Sequence, residues 1–156
     1  MPKIVNHEER RQSILDHSFL LFAENGFHGV SVRQIAKANG MTTGMLYHYF
    51  PGKPEIFQEL LTTMQQRQIH DFKQSLKTQD NAQFALMQFV QKEQQSLQNL
   101  LSIAIDFHRV HPERDISTLL DPYEEAIRDS LQISSVQAKQ MLTMILGDLA
   151  RRLIGG

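Results

Sequence analysis

The sequence predicts an all-α protein with a small three-helix head and a longer helical body. Apolar residues recur at helical spacing along nearly the whole chain, with no strand-like alternation and no internal repeat. Start signals in which Ser or Asn stands three residues before Gln or Glu recur as well, at Asn6–Glu9, Ser31–Gln34 and Ser134–Gln137. A first helix begins at the Asn6–Glu9 box, carries the stripe Ile14, Leu15, Phe19, Phe22 and Ala23, and is ended by Gly26. Ser31 and Gln34 open a second, short helix whose inward face is Val32, Ile35 and Ala36; Asn39 and Gly40 break it, glycine supplying the left-handed backbone that a tight turn needs. Thr42 caps a third helix, with Met41, Leu46 and Phe50 as apolar contacts behind it and Ala36 small enough for close approach. Tyr49 and Phe50 read as core residues that lock this helix to the first.

A fourth helix is expected from Lys53 to about Lys77, tolerating Pro54 in its first turn and burying Ile56, Phe57, Leu60, Leu61 and Met64. A polar break over 78–81 precedes a helical region from Ala82 to about His111, with a joint within QKEQQSLQN and a stop at Pro112. Asp121 as cap, Pro122 in first position and Glu124 in third start a helix that runs to about Leu131. Ser134 and Gln137 cap the last, striped by Ala138, Met141, Leu142, Ile145, Leu146, Leu149 and Leu153.

Helices two and three, joined by a tight turn, form a helix-turn-helix. The outer face of the third carries Thr43, Gly44, Tyr47 and His48, which suits a DNA groove: short side chains admit the backbone to base edges, and a phenol and an imidazole one turn on can bond phosphate oxygens. Lys53 adds a charge at the next helix start. Net charge is −1, yet it divides unevenly: Lys3, Arg10, Arg11, Arg33, Lys37 and Lys53 against Glu8, Glu9, Asp16 and Glu24 give +2 over residues 1–53 and leave −3 beyond. The absence of cysteine excludes disulfides, thiol catalysis and Cys-based zinc sites. No apolar run approaches the ~20 residues of a membrane span, and the N-terminus lacks a signal-peptide segment, so a soluble, cytoplasmic protein is expected. No nucleophile–base pair or phosphate loop is recognisable, and neither an enzyme nor a cofactor is expected.

The run from about Arg10 to Phe57, with its FAENGF, SVRQIAKANGM and LYHYFPGK blocks, resembles the DNA-binding domain of the TetR family of transcriptional regulators. Pro54 departs from the family, which usually has an acidic residue there, and the chain is short for it. The resemblance implies a helix-turn-helix DNA-binding domain over 1–53, a ligand-sensing and dimerisation domain over 54–156, and a homodimeric, ligand-responsive repressor on a near-palindromic operator. The expected DNA contacts are Ser31, Arg33, Thr42, Thr43, Gly44, Tyr47, His48 and Lys53. A pocket for a small-molecule effector is expected from Met64, Phe72, Phe84, Met87, Leu101, Ile105, Phe107 and Tyr123, and a dimer interface from Met141, Leu142, Ile145, Leu146, Leu149 and Leu153. The alternative is a metal-binding or enzymatic bundle using Asp106, His108, His111 and Glu113, where two histidines at i, i+3 share a face.

Overall fold

The computed structural model describes residues 6–78, 80–115 and 117–155. Lys3 and Gln79, the latter within the expected break over 78–81, lie outside them. Among the described residues there are eight α-helices: α1 His7–Gly29, α2 Val32–Ala38, α3 Thr43–Tyr47, α4 Lys53–Leu76, α5 Ala82–Lys92, α6 Gln94–Val110, α7 Asp121–Leu131 and α8 Ser135–Ile154, with a 3-10 turn, Ser117–Leu119, before α7. They fall into two compact units, Met1–Thr62 and Thr63–Gly156.

In the first unit the local signals act largely as the sequence suggests. Ser31 and Gln34 form the reciprocal capping box of α2, and the Met45 amide donates to Thr42 Oγ1 at 3.1 Å to start α3. Asn6 does cap α1, but its side chain accepts from the Glu8 amide, two residues on, rather than from Glu9. Gly26 has φ 69° and kinks α1 near its end; one further turn follows before Val30 leaves the helix. At the end of α2, Gly40 has φ 61° and its amide bonds Lys37 O, while the Met41 amide reaches back to Ala36 O. That pair of bonds is a Schellman closure, which a left-handed glycine permits.

The core of this unit is Ile14, Leu15, Phe22, Phe27, Ile35, Leu46, Phe50, Ile56, Phe57 and Leu60, all fully buried. Phe57 stands edge-on to both Phe22 and Phe27, each with centroids 5.1 Å away, a favoured aromatic arrangement. Because Ile56, Phe57 and Leu60 belong to this core, the first unit runs past Lys53 into α4.

Cations bind the helices together at their carbonyl ends. Arg10 donates to Asn39 O, the capping carbonyl of α2, at 2.9 Å. Arg11 donates to Tyr49 O just past α3, pairs with Glu59 on α4, and lies 4.3 Å over the Phe50 ring. Lys53 donates to Phe27 O and Val30 O at the end of α1, both at 2.8 Å, with its ammonium 4.2 Å over the Phe27 ring. Carbonyls at helix C-termini lack intrahelical partners and carry partial negative charge, so each cation satisfies an acceptor and opposes a dipole at once. A further link joins α1 to the turn: His17 Nδ1 lies 2.9 Å from Asn39 Oδ1, and Asn39 Nδ2 donates to Ile35 O.

In the second unit, α5 starts on the Asn81 side chain, which accepts from the Phe84 amide. The expected joint falls at Glu93, between α5 and α6. Asp121 is not the cap of α7: the chain enters from the 3-10 turn already helical at Leu120, so Asp121 sits in the first turn and no side chain caps the helix. Ser134 and Gln137 form a full capping box for α8. The core is Phe72, Leu86, Phe89, Ala126, Ile127, Ala138 and Leu142, with Phe72 and Phe89 rings 5.6 Å apart. Buried Gln68 donates to Ser96 Oγ at 3.2 Å and accepts from the Tyr123 hydroxyl, tying α4, α6 and α7. Burial raises the Tyr123 phenol above its ordinary value of 10.0.

Lys53→Met keeps the apolar stem over Phe27 but deletes two charge-assisted bonds, and should lower stability to urea by about 2 kcal/mol. Folded Tyr123 keeps its proton after the unfolded phenol has lost it, so its stabilisation is complete below pH 10 and declines above it. Melts of Tyr123→Phe and the unchanged chain should accordingly converge as pH is raised from 9 to 11; a constant gap would mean that the phenol is not shielded.

Candidate nucleic-acid interface

On the first unit, α3 offers one face to its own core and one to solvent. Leu46 is buried, whereas Gly44, Tyr47 and His48 are exposed, Tyr47 by 52%, and Thr43 is half-buried. Thr43, Gly44, Tyr47 and His48 stand at i, i+1, i+4 and i+5, one side of a helix. The backbone at Gly44 is accessible: a Cβ there would meet only Thr42 Oγ1, at 3.9 Å.

A shallow groove of about 540 Å³ runs from α2 across the turn to α3, lined by Arg33, Ala36, Lys37, Gly40, Met41, Thr42, Thr43 and Met45. Arg33 and Lys37, four residues apart on α2, are both exposed. The surface thus combines two cations, hydroxyls, an amphipathic phenol and an imidazole on rigid helices, the mixture that contacts phosphates and base edges.

Of the residues expected at DNA, Arg33, Thr42 and Thr43 border the groove, Gly44, Tyr47 and His48 share the adjoining face, and exposed Ser31 is engaged in the α2 capping box. Lys53 is the departure, because its ammonium points into the head against the carbonyls of Phe27 and Val30. Lys37 and Met45 also line the groove and are not among the contacts expected from the sequence. The i, i+4 spacing from Arg33 was a usable signal for Lys37; the sequence carried none for Met45, whose spacing does not separate it from the apolar face.

The residues expected to line an effector pocket are dispersed. Phe72 and Phe107 are buried in the core, Met64, Leu101 and Tyr123 are half-buried, and Phe84, Met87 and Ile105 are exposed, Met87 by 70%. Met87 borders an open groove of about 690 Å³ between α5 and α8, where Val90, Met141 and Ile145 contribute apolar walls and Asp148 and Arg152 polar ones. The expected dimer residues also divide. Leu142 and Leu149 are buried within their own unit, Met141, Ile145 and Leu146 pack half-buried on its core, and Leu153 is exposed. Apart from Leu153, the stripe read from periodicity is the one α8 turns inward, so its apolar outward side chains are Val136, Met144, Leu153 and Ile154, with Met144 and Ile154 75% and 87% exposed.

The 106–113 cluster is not assembled as a metal site. Asp106 pairs with Arg109 at 2.6 Å, His111 Nδ1 with Glu113 at 3.1 Å, and His108 is exposed. Among the described residues no group of three or more His, Asp or Glu is placed to hold a metal, and no helix is long and apolar enough to cross a membrane.

Comparison with known proteins supplies a family. Residues 14–60 match the bacterial regulatory proteins of the tetR family. The chain is 36% identical over 67 residues to the HTH-type transcriptional regulator PksA of Bacillus subtilis (strain 168), a stretch covering 43% of this chain and 33% of that protein. It is 44% identical over 52 residues to the HTH-type transcriptional repressor KstR2 of Rhodococcus jostii (strain RHA1), covering 33% of this chain and 26% of that one. The chain therefore spans about a third or less of the length of these two relatives. A crystal structure of a TetR/AcrR-family transcriptional regulator superposes with a TM-score of 0.67 at 26% identity, over 95% of this chain and 90% of that one. The family match lies in the head, residues 14–60, which is similar to the bacterial regulatory proteins of the tetR family, and the fold of the described chain is similar to that of a TetR/AcrR-family regulator.

Proposed function

We propose that this protein is a ligand-responsive transcriptional repressor that binds a near-palindromic operator as a homodimer. The observation that carries the reading is the outward face of α3, with Thr43, Gly44, Tyr47 and His48 beside the exposed pair Arg33 and Lys37. Thr43 and Gly44 approach base edges in the major groove, Tyr47 and His48 bond flanking phosphates, and Arg33 and Lys37 neutralise the backbone. Ser31 and Thr42 act by starting the two helices at the right angle. Lys53 contributes by fixing the head, since its ammonium is bonded to Phe27 O and Val30 O.

One head offers few base contacts, and two raise affinity and specificity together when their spacing matches the operator. The outward apolar side chains of α8, Val136, Met144 and Ile154 with Leu153, are the surface we assign to the partner; Gly147, where a Cβ would meet nothing within 4 Å, permits close helix approach. A small molecule bound by the second unit would act through α4, whose residues belong to both units. It shifts the equilibrium only by its difference in affinity for the DNA-competent and incompetent states. Repression is chosen over activation because the relative KstR2 is a repressor.

The reading is tested by binding of the purified protein to the intergenic DNA upstream of its own gene across a series of salt concentrations. Tight, salt-sensitive binding by two protomers per site supports it, and a folded dimer with no preference for any duplex contradicts it. In the same titration the double variant Arg33→Ala, Lys37→Ala should flatten the slope of log affinity on log salt by about two, at ~0.9 for each phosphate no longer neutralised. Lys53→Met should leave that slope unchanged at temperatures where the head is folded. Gly44→Ala should not lower the melting temperature, as its new Cβ meets only Thr42 Oγ1 at an ordinary contact distance of 3.9 Å, yet weaken operator binding at least ten-fold, an order-of-magnitude expectation for a backbone held one methyl away from the bases.

A further inference from the structure

Met45 is the one residue of α3 whose side chain is both large and wholly apolar and yet is exposed, by 48%. Leu46 beside it is buried and supplies the anchor of the helix, so the core makes no demand on Met45. The backbone there is pinned on both sides: its amide donates to Thr42 Oγ1 at 3.1 Å, and its carbonyl accepts from the His48 amide at 3.2 Å. The side chain is thereby presented at the groove among Arg33, Lys37, Thr42 and Thr43, where it is the exposed apolar side chain and the groove's other methionine, Met41, is half-buried.

An apolar side chain so placed contributes nothing to phosphate binding, and it has no donor to offer a base. The major-groove edges of the four base pairs carry donors, acceptors and a single apolar feature, the 5-methyl group of thymine. We infer that Met45 is a specificity-determining residue that reads a thymine 5-methyl in each half-site. The unbranched thioether suits this, because it adapts to the methyl position without a fixed rotamer. Thr43 and Met45 then divide the reading, the hydroxyl reporting hydrogen-bonding groups and the thioether the methyl. This inference rests on the DNA-binding reading above.

The test begins with a duplex selected from a random pool by the full-length protein. Each thymine of that duplex is then replaced in turn by deoxyuridine, which removes one methyl and leaves base pairing intact. At one thymine per half-site the replacement should weaken binding roughly four-fold, the worth of one methyl group taken from water. Met45→Ala, expected to melt like the unchanged protein because the side chain is exposed, should bind the thymine and deoxyuridine duplexes equally. Thr43→Ser should retain the difference. The inference is overturned if no thymine is sensitive, if the selected half-site lacks thymine, or if Met45→Ala still discriminates; failure to select any duplex would overturn the DNA-binding reading with it.

Discussion

A helix of five residues does not stand on its own in water, because nucleation fixes several residues for each hydrogen bond formed. α3, the helix proposed to face DNA, is such a helix, so everything the head does depends on what holds it from outside. Four devices do so. Thr42 closes its start, the Gly40 turn delivers it at a fixed angle from α2, Leu46 and Phe50 sink into the core, and Arg11 reaches from α1 to the Tyr49 carbonyl past its end. The same device recurs where Arg10 takes the end of α2 and Lys53 the end of α1. Charged hydrogen bonds of this kind are worth about 1.5–3 kcal/mol each, a large share of the stability of any small domain.

This arrangement changes what the charge of the head means. Among the described residues, three of the cations that give residues 1–53 their positive balance are bonded inward, which leaves Arg33 and Lys37 as the exposed cations of α2 beside the proposed interface. Under the proposed function, electrostatic attraction to DNA is modest for one head, and discrimination would fall to short-range contacts at Thr43, Gly44 and Met45. A rigid face suits such contacts, because base-edge hydrogen bonds and methyl packing fail with small displacements.

The sequence was most legible where the structure is set by neighbours in the chain. The Ser31 and Ser134 capping boxes and the left-handed Gly40 follow from rules spanning three or four residues, and the joint at Glu93 falls within the glutamine-rich stretch that marked it only to within nine residues. It was least legible where a long side chain chooses among distant partners. Nothing near Lys53 shows that its ammonium meets carbonyls of Phe27 and Val30 rather than a phosphate, and nothing near Asn39 shows that its carbonyl meets Arg10. Asp121 had the residue type and spacing of a cap, but a preceding 3-10 turn made it the first turn instead. Periodicity found the apolar stripe of α8 without showing that Leu142 and Leu149 turn into their own unit. Composition alone selected the pocket residues, and it does not separate buried Phe107 from exposed Met87.

Amide hydrogen exchange across α3 tests most directly whether the reading helix is held by the rest of the head. If it is, the amides of Leu46 and Phe50, bonded to Thr42 O and Leu46 O, exchange only when the whole head unfolds, and Arg11→Met speeds them together with the core amides of α1. Fast exchange of α3 in the unchanged protein, while α1 stays protected, would show that the helix opens on its own and would contradict the account.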